Sequence, residues 1–228
     1  MVTQTDRAVI AVCGTTFLAF VIDAWRGSFW MLFLNVLIAV VLFYYAIRQN
    51  DVYASELVRS IICGVAASVI YILLDWKLST ELQGVDKGRL IDYLRPDLPW
   101  LPTAPLNLLL TFLLVIILMI YLYHRLRSIS GNVFIAAGVT SIVAFIGVTV
   151  CDQLGSKLLW NWNALIVEKL PYIGSTPAFV PTAFALTFLL SPYYFYKRQY
   201  AIVSGLRCGI FMGVMPLLCF WAFRFIKI

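Results

Sequence analysis

Charge is scarce in this sequence. Of its 228 residues only 12% are Asp, Glu, Lys or Arg, against 62% hydrophobic, whereas a soluble domain carries roughly a quarter charged residues. Too little polar surface is left to disperse a water-soluble enzyme. Histidine is almost missing: His124 stands alone, which excludes a bis-histidine haem or a histidine-rich metal cluster. The five cysteines (Cys13, Cys63, Cys151, Cys208, Cys219) form no CxxC pair and are odd in number. They read as small buried hydrophobes, not as ligands or a disulfide framework. Walker A, HExxH, GxSxG and paired-glutamate motifs are all lacking, so phosphoryl transfer, zinc proteolysis and serine hydrolysis find no support. Neither a metal nor a cofactor is expected. A cleavable leader is not expected either, because Asp23-Ala24-Trp25-Arg26 follows the first apolar run without a small-residue cleavage pattern.

What the chain has instead is apolar runs as long as a bilayer is thick, ~20 residues per helix. Seven spans are expected, at 8–25, 28–47, 57–76, 104–123, 132–152, 177–196 and 202–223, with longer connections at 77–103 and 153–176. The fold class is an all-α integral membrane protein, one transmembrane domain over 1–228. The net charge of +6 forms no nucleic-acid stripe, since the basic residues sit singly or in pairs at the ends of apolar runs. On the side of the N-terminus they outnumber acids in short loops (Arg48, Arg59, Arg125, Arg127, Lys197, Arg198), so a cytoplasmic N-terminus is expected. All seven Trp map to the opposite side and most Tyr to the N-terminal side. Aromatic belts are ordinary anchoring, but segregation by type implies that the two ends do different work.

Self-similarity organises these spans. Odd-numbered spans end alike, in Val21-Ile22-Asp23-Ala24-Trp25, Leu73-Leu74-Asp75-Trp76 and Val150-Cys151-Asp152-Gln153-Leu154. Even-numbered spans end in aromatics and Arg, as in Tyr44-Tyr45-Ala46-Ile47-Arg48 and Tyr121-Leu122-Tyr123-His124-Arg125. Cys13-Gly14, Cys63-Gly64, Ala137-Gly138 and Cys208-Gly209 recur early in the odd spans and read as helix–helix contacts. Leu98-Pro99-Trp100-Leu101-Pro102-Thr103-Ala104-Pro105 parallels Leu170-Pro171-Tyr172-Ile173-Gly174-Ser175-Thr176-Pro177. The expected architecture is three parallel hairpin repeats, about 8–48, 57–125 and 132–198, closed by a helix at 202–223.

Three acids at helix C-termini call for a reason, because a carboxylate there faces the negative end of the dipole at a cost of ~0.3–1 kcal/mol. Asp75 and Asp152 are candidate proton donors in a shared polar cavity. The alternative is that these acids are solvated stops, paired with Arg26, Lys77 and Lys157. Trp76, Trp160, Trp162 and Asn163 could line such a cavity, with tryptophan faces able to stabilise a cation; interface anchoring is the competing role. Asn107, just inside the fourth span, fits packing or substrate contact equally.

Asp152, Gly155, Trp160, Trp162, Gly174 and Pro177, and in the preceding unit Asp75, Tyr93 and Pro105, fall in an order that resembles the lycopene cyclase-domain family of carotenoid-synthesis membrane proteins. The likeness is clearest over 69–114 and 146–190. It implies a membrane enzyme that cyclises or hydrates a terpenoid or carotenoid-type lipid (an isomerase-type reaction), acid-initiated and metal-independent. The chain departs from the family at its Pro-x-Glu-Glu element, since Pro105-Leu106-Asn107-Leu108 and Pro177-Ala178-Phe179-Val180 hold no acid. The donor role would then pass to Asp75 or Asp152. Two other classes fit the same sequence: a non-catalytic lipid-binding protein or transporter, and a subunit of a homo- or hetero-oligomeric membrane complex. The expected partners are an isoprenoid or other lipid and the surrounding membrane lipids.

Overall fold

The computed structural model describes residues 2–28, 30–86, 91–93, 106–156, 158–163, 167, 170–195 and 200–225, and at 75–86, 92–93 and 107 the backbone alone. Among the described residues eight helices and four short strands follow in chain order: α1 (Gln4–Arg26), α2 (Trp30–Arg48), α3 (Ala54–Asp86), β1 (Ile91–Tyr93), α4 (Leu106–Ser130) and α5 (Val133–Gly155). After them come β2 (Trp160–Trp162), β3 (Tyr172–Ile173), β4 (Thr176–Pro177), α6 (Phe179–Leu189), α7 (Ser191–Tyr194) and α8 (Ala201–Phe225). Among the described residues six helical stretches are long and apolar enough to cross a bilayer: Gln4–Arg26, Trp30–Arg48, Ala54–Leu74, Leu108–Ser130, Val133–Gly155 and Ala201–Phe225. This is a polytopic, predominantly helical membrane protein. Ile10, Val40, Val41, Phe134 and Ile146 are among many large apolar side chains facing outward, as expected where lipid replaces water as the solvent.

The stretch 177–196, expected as one continuous span, is instead the 11-residue helix α6 followed by the four-residue α7. At 1.5 Å per residue α6 reaches about 17 Å, short of the ~30 Å hydrocarbon core. Pro192 supplies the reason. It has no N–H for the carbonyl of Phe188 and its ring crowds that carbonyl, so the backbone leaves the helix at Leu190 (φ −83°, ψ 5°). α3 departs the other way, continuing through 77–86, where a connection was expected. Those residues contain no proline to stop it.

Helix ends follow local chemistry. α1 starts in a capping box: Thr3 Oγ accepts from Asp6 N–H at 3.2 Å and Asp6 Oδ2 accepts from Thr3 N–H at 3.0 Å. α5 starts on Asn132, whose Oδ1 accepts from Phe134 N–H at 2.8 Å. Consecutive helices pack as pairs, α1 with α2, α3 with α4 and α5 with α6, while α4 also touches α2 and α5. The most extensive contact joins α3 to α8. Gly205 and Gly209 make it possible, because a Cβ on either would collide with the carbonyl oxygens of Cys63 and Ala67. The small-residue pairs at 63–64 and 208–209 are therefore close packing contacts, with Gly64 pressed on Ile117 of α4. Gly14 and Gly138 differ: each has open space where a Cβ would stand.

At the tyrosine-bearing end the N-terminus of α1 is locked down. Arg125 of α4 grips Asp6 through Nε to Oδ1 (2.9 Å) and a second nitrogen to Oδ2 (3.0 Å), and Tyr121 donates its hydroxyl to Asp6 at 2.9 Å. Asp51, in the turn before α3, accepts from Thr5 N–H and Thr5 Oγ at 2.7 Å each. At the other end two small β-elements, absent from the expected all-α plan, cap the bundle. β1 pairs antiparallel with β2, Ile91 opposite Trp162 and Tyr93 opposite Trp160. β3 and β4 form a hairpin whose two-residue turn opens on Gly174 at φ 64°.

Candidate functional site

The last turn of α5 carries Asp152, 5% exposed, and the chain beyond it folds back over that side chain. Gly155 lets it do so: the Trp160 indole lies where a Cβ on Gly155 would be. Trp160 Nε1 donates to Asp152 Oδ1 at 2.9 Å, and Trp162 Nε1 reaches Oδ1 at 3.1 Å and Oδ2 at 3.0 Å. The buried hydroxyl-bearing Thr176 of β4 lies beside the same carboxyl. Each indole rests on a ring from a different part of the bundle, Trp160 on Phe20 of α1 (centroids 6.1 Å) and Trp162 on Phe179 of α6 (6.2 Å).

These contacts settle one alternative. Neither Asp23 nor Asp152 is a solvated stop. Asp23, 0% exposed, accepts from Leu32 N–H at 2.8 Å, Met31 N–H at 3.0 Å and Ser28 Oγ at 3.1 Å. It thus leaves the negative end of α1 to sit at the positive end of α2, where an anion is favoured. Asp152 holds two indoles in place. Both acids end one helix and organise the connection that follows.

Outside this knot, an open cleft of about 530 Å³ is lined by Ser156, Asn161, Trp162, Tyr172, Gly174 and Ser175. Trp162 is shared: its N–H grips Asp152 while its ring walls the cleft. Gln153, one residue beyond Asp152, donates to the Ile173 carbonyl at 3.1 Å and packs under Gly174, fixing the hairpin rim. An aromatic wall with neighbouring hydroxyl and amide groups, at the membrane-boundary end of α5, suits an amphiphile: a polar head among Ser156, Asn161 and Ser175, and an apolar portion against Trp162 and Tyr172.

Of the residues singled out from the sequence, Asp152, Trp160 and Trp162 come together, and Asn163 follows them, half-buried. The side chains of Asp75, Trp76 and Asn107 lie outside the described residues, as do Trp100 and Lys157 altogether. Sequence reasoning missed Thr176, Tyr172 and Ser175, which reach the site through a hairpin of two-residue strands too short to carry a periodic pattern. Gly174-Ser175 was the available signal, a turn pair flanked by Tyr172-Ile173 and Thr176-Pro177.

No family model, curated protein or solved structure matches this chain.

Proposed function

We propose that this polytopic membrane protein binds an amphiphilic lipid, of the isoprenoid class or similar, in the cleft at its tryptophan-bearing end. The single observation carrying this reading is the placement of Trp162, held by a buried carboxylate on one side and walling an open, mixed polar and aromatic cleft on the other. The site is prearranged, so little side-chain ordering is needed on binding. Lipid co-purification tests it. Protein extracted in mild detergent should carry one lipid class enriched over an unrelated membrane protein from the same cells, and Trp162→Ala with Tyr172→Ala should lose that enrichment. Equal lipid profiles in all three samples would overturn the reading.

A second reading, acid-initiated cyclisation or hydration of that lipid, is favoured by a buried carboxyl bonded to two indoles, whose faces could stabilise a carbocation. Against it stands the hydrogen bonding of Asp152. Both oxygens accept from indole N–H groups within the folded-back connection, and Asp152 is not among the residues lining the cleft; Asp75 would then be the donor. Lipid extracts from a strain lacking the gene, complemented with wild type, Asp75→Asn or Asp152→Asn, separate the two. A precursor cleared only by wild type supports catalysis, and unchanged profiles beside retained lipid binding leave the binding function alone.

A further inference from the structure

Ser156 caps the C-terminus of α5, Asn161 is the middle residue of β2, and Ser175 stands in the turn between β3 and β4. Three separate elements thus bring three polar side chains to one cleft of about 530 Å³, within the ~300–1,000 Å³ range of small-molecule sites. None of these side chains makes a hydrogen bond among the described residues, and none is sealed away as a buried unpaired group. Their bonding capacity is open to the cleft.

The kind of capacity selects the ligand. Hydroxyl and primary amide groups both donate and accept. An anionic head calls for a cation in the wall and a cationic head for an acid, and the described lining residues supply neither. A group that itself donates and accepts is the match, and a hydroxyl is such a group. Three partners on three elements call for several hydroxyls spread around one body.

The rings between them select its faces. Trp162 spends its N–H on Asp152 at 3.0 Å, so it offers the cleft only its ring. Tyr172 is 42% exposed and adds a second ring from the hairpin. An aromatic face carries negative charge density and attracts polarised C–H groups. A sugar ring combines both requirements, with hydroxyls around its rim and C–H groups on its faces. Asp152 pins Trp162, and Gln153 pins the hairpin through the Ile173 carbonyl, so little ordering is needed when such a ring enters.

We propose, resting on the lipid-binding reading above, that the head group taken in this cleft is an uncharged glycosyl group. Trp162 and Tyr172 lie against its C–H faces, and Ser156, Asn161 and Ser175 bond its hydroxyls.

The test uses the full chain in a polyoxyethylene detergent, which carries no sugar of its own. Diglucosyl diacylglycerol, phosphatidylglycerol and diacylglycerol with identical acyl chains are titrated and read by native mass spectrometry, with maltose in a parallel calorimetric arm. The glycosyl lipid should bind about tenfold or more tighter than the other two, in line with two or more added hydrogen bonds. Asn161→Ala with Ser175→Ala should bring it down to the diacylglycerol level. Neither side chain is bonded within the fold among the described residues, so the unfolding midpoint should stay at the wild-type value. Equal binding of the three lipids, lost in Trp162→Ala with Tyr172→Ala, would overturn the glycosyl head and leave the lipid reading standing. Preference for phosphatidylglycerol would overturn the glycosyl head in the same way. A glycosyl preference untouched by the Asn161 and Ser175 substitutions would overturn the site. Maltose binding without lipid binding would keep the sugar chemistry, as a free saccharide, and overturn the lipid reading. If no probe binds, both fall.

Discussion

Asp152 is the side chain on which most of the tryptophan end depends. It accepts three hydrogen bonds in a nearly dry setting, and Asp152→Asn replaces one acceptor oxygen with an NH₂ facing an indole N–H. A loss of about 1–3 kcal/mol is expected, seen as a lower unfolding midpoint in detergent and as altered tryptophan fluorescence; an unchanged midpoint and spectrum would deny the anchoring role. Asp51 predicts a pH dependence. Burial pushes its carboxyl up, but the Thr5 N–H and hydroxyl and the Tyr53 N–H outweigh that and hold it below the ordinary carboxylate value. A folded-state value below the unfolded one gives stability that is complete above the unfolded pKa and fades as pH falls through the folded pKa. Thermal unfolding between neutral and strongly acidic pH should therefore show a shallower acid decline in Asp51→Asn than in wild type. The positions of the acids could be read from the sequence, but their partners could not. Asp23 and Asp152 stand out because anions are unexpected at helix C-termini, while Asp75, expected at such an end, lies inside α3, which continues to Asp86; the Asp6–Arg125 pair joins residues far apart in the chain that only packing brings together. Thr3 and Asp6 did carry a local signal, the spacing of a capping box.

Elements repeat that division. The long helices follow from apolar run length alone, since each satisfies its own backbone within the bilayer. The break at Leu190 follows from Pro192 only once the helix is known to start at Phe179, which leaves too few residues before the proline. β1 and β2 offered nothing to read, being three residues each and paired across two different connections. Glycine provides the sharpest element-scale prediction. Gly209→Val forces α8 away from the Ala67 carbonyl on α3 and should cost at least about 1–3 kcal/mol by overpacking. Gly138→Ala meets open space and should leave stability unchanged or slightly raised through helix propensity. Unfolding both variants in a graded denaturing detergent checks the contrast, and equal effects would mean that α3 and α8 do not pack as described.

For the whole molecule the open quantity is the number of crossings. Six helices suffice to span, and α6 with α7 forms a shorter apolar element between α5 and α8. Tags fused at the two ends and read by protease protection in sealed vesicles count the passes: the same side for the six long helices alone, opposite sides if α6 with α7 adds a crossing. The lock at the tyrosine end also acts at this scale. Arg125→Gln leaves Asp6 buried without its cation and should cost about 3 kcal/mol, whereas Arg59→Gln breaks a more open pair with Glu56 worth at most about 1 kcal/mol. Equal losses in calorimetry would remove the distinction.

The ribbon joining β1 to β2 carries a timetable. Residues 91–93 leave the ribosome roughly 70 residues before their partners at 160–162, several seconds at roughly 5–20 residues per second. Throughout that interval β1 has no strand to pair with, and α4 and α5 must both be inserted before one arrives. The ribbon is therefore a record of the first five helices' insertion: its pairing, followed by hydrogen exchange on stalled nascent chains, should appear only after the fifth helix has entered the membrane.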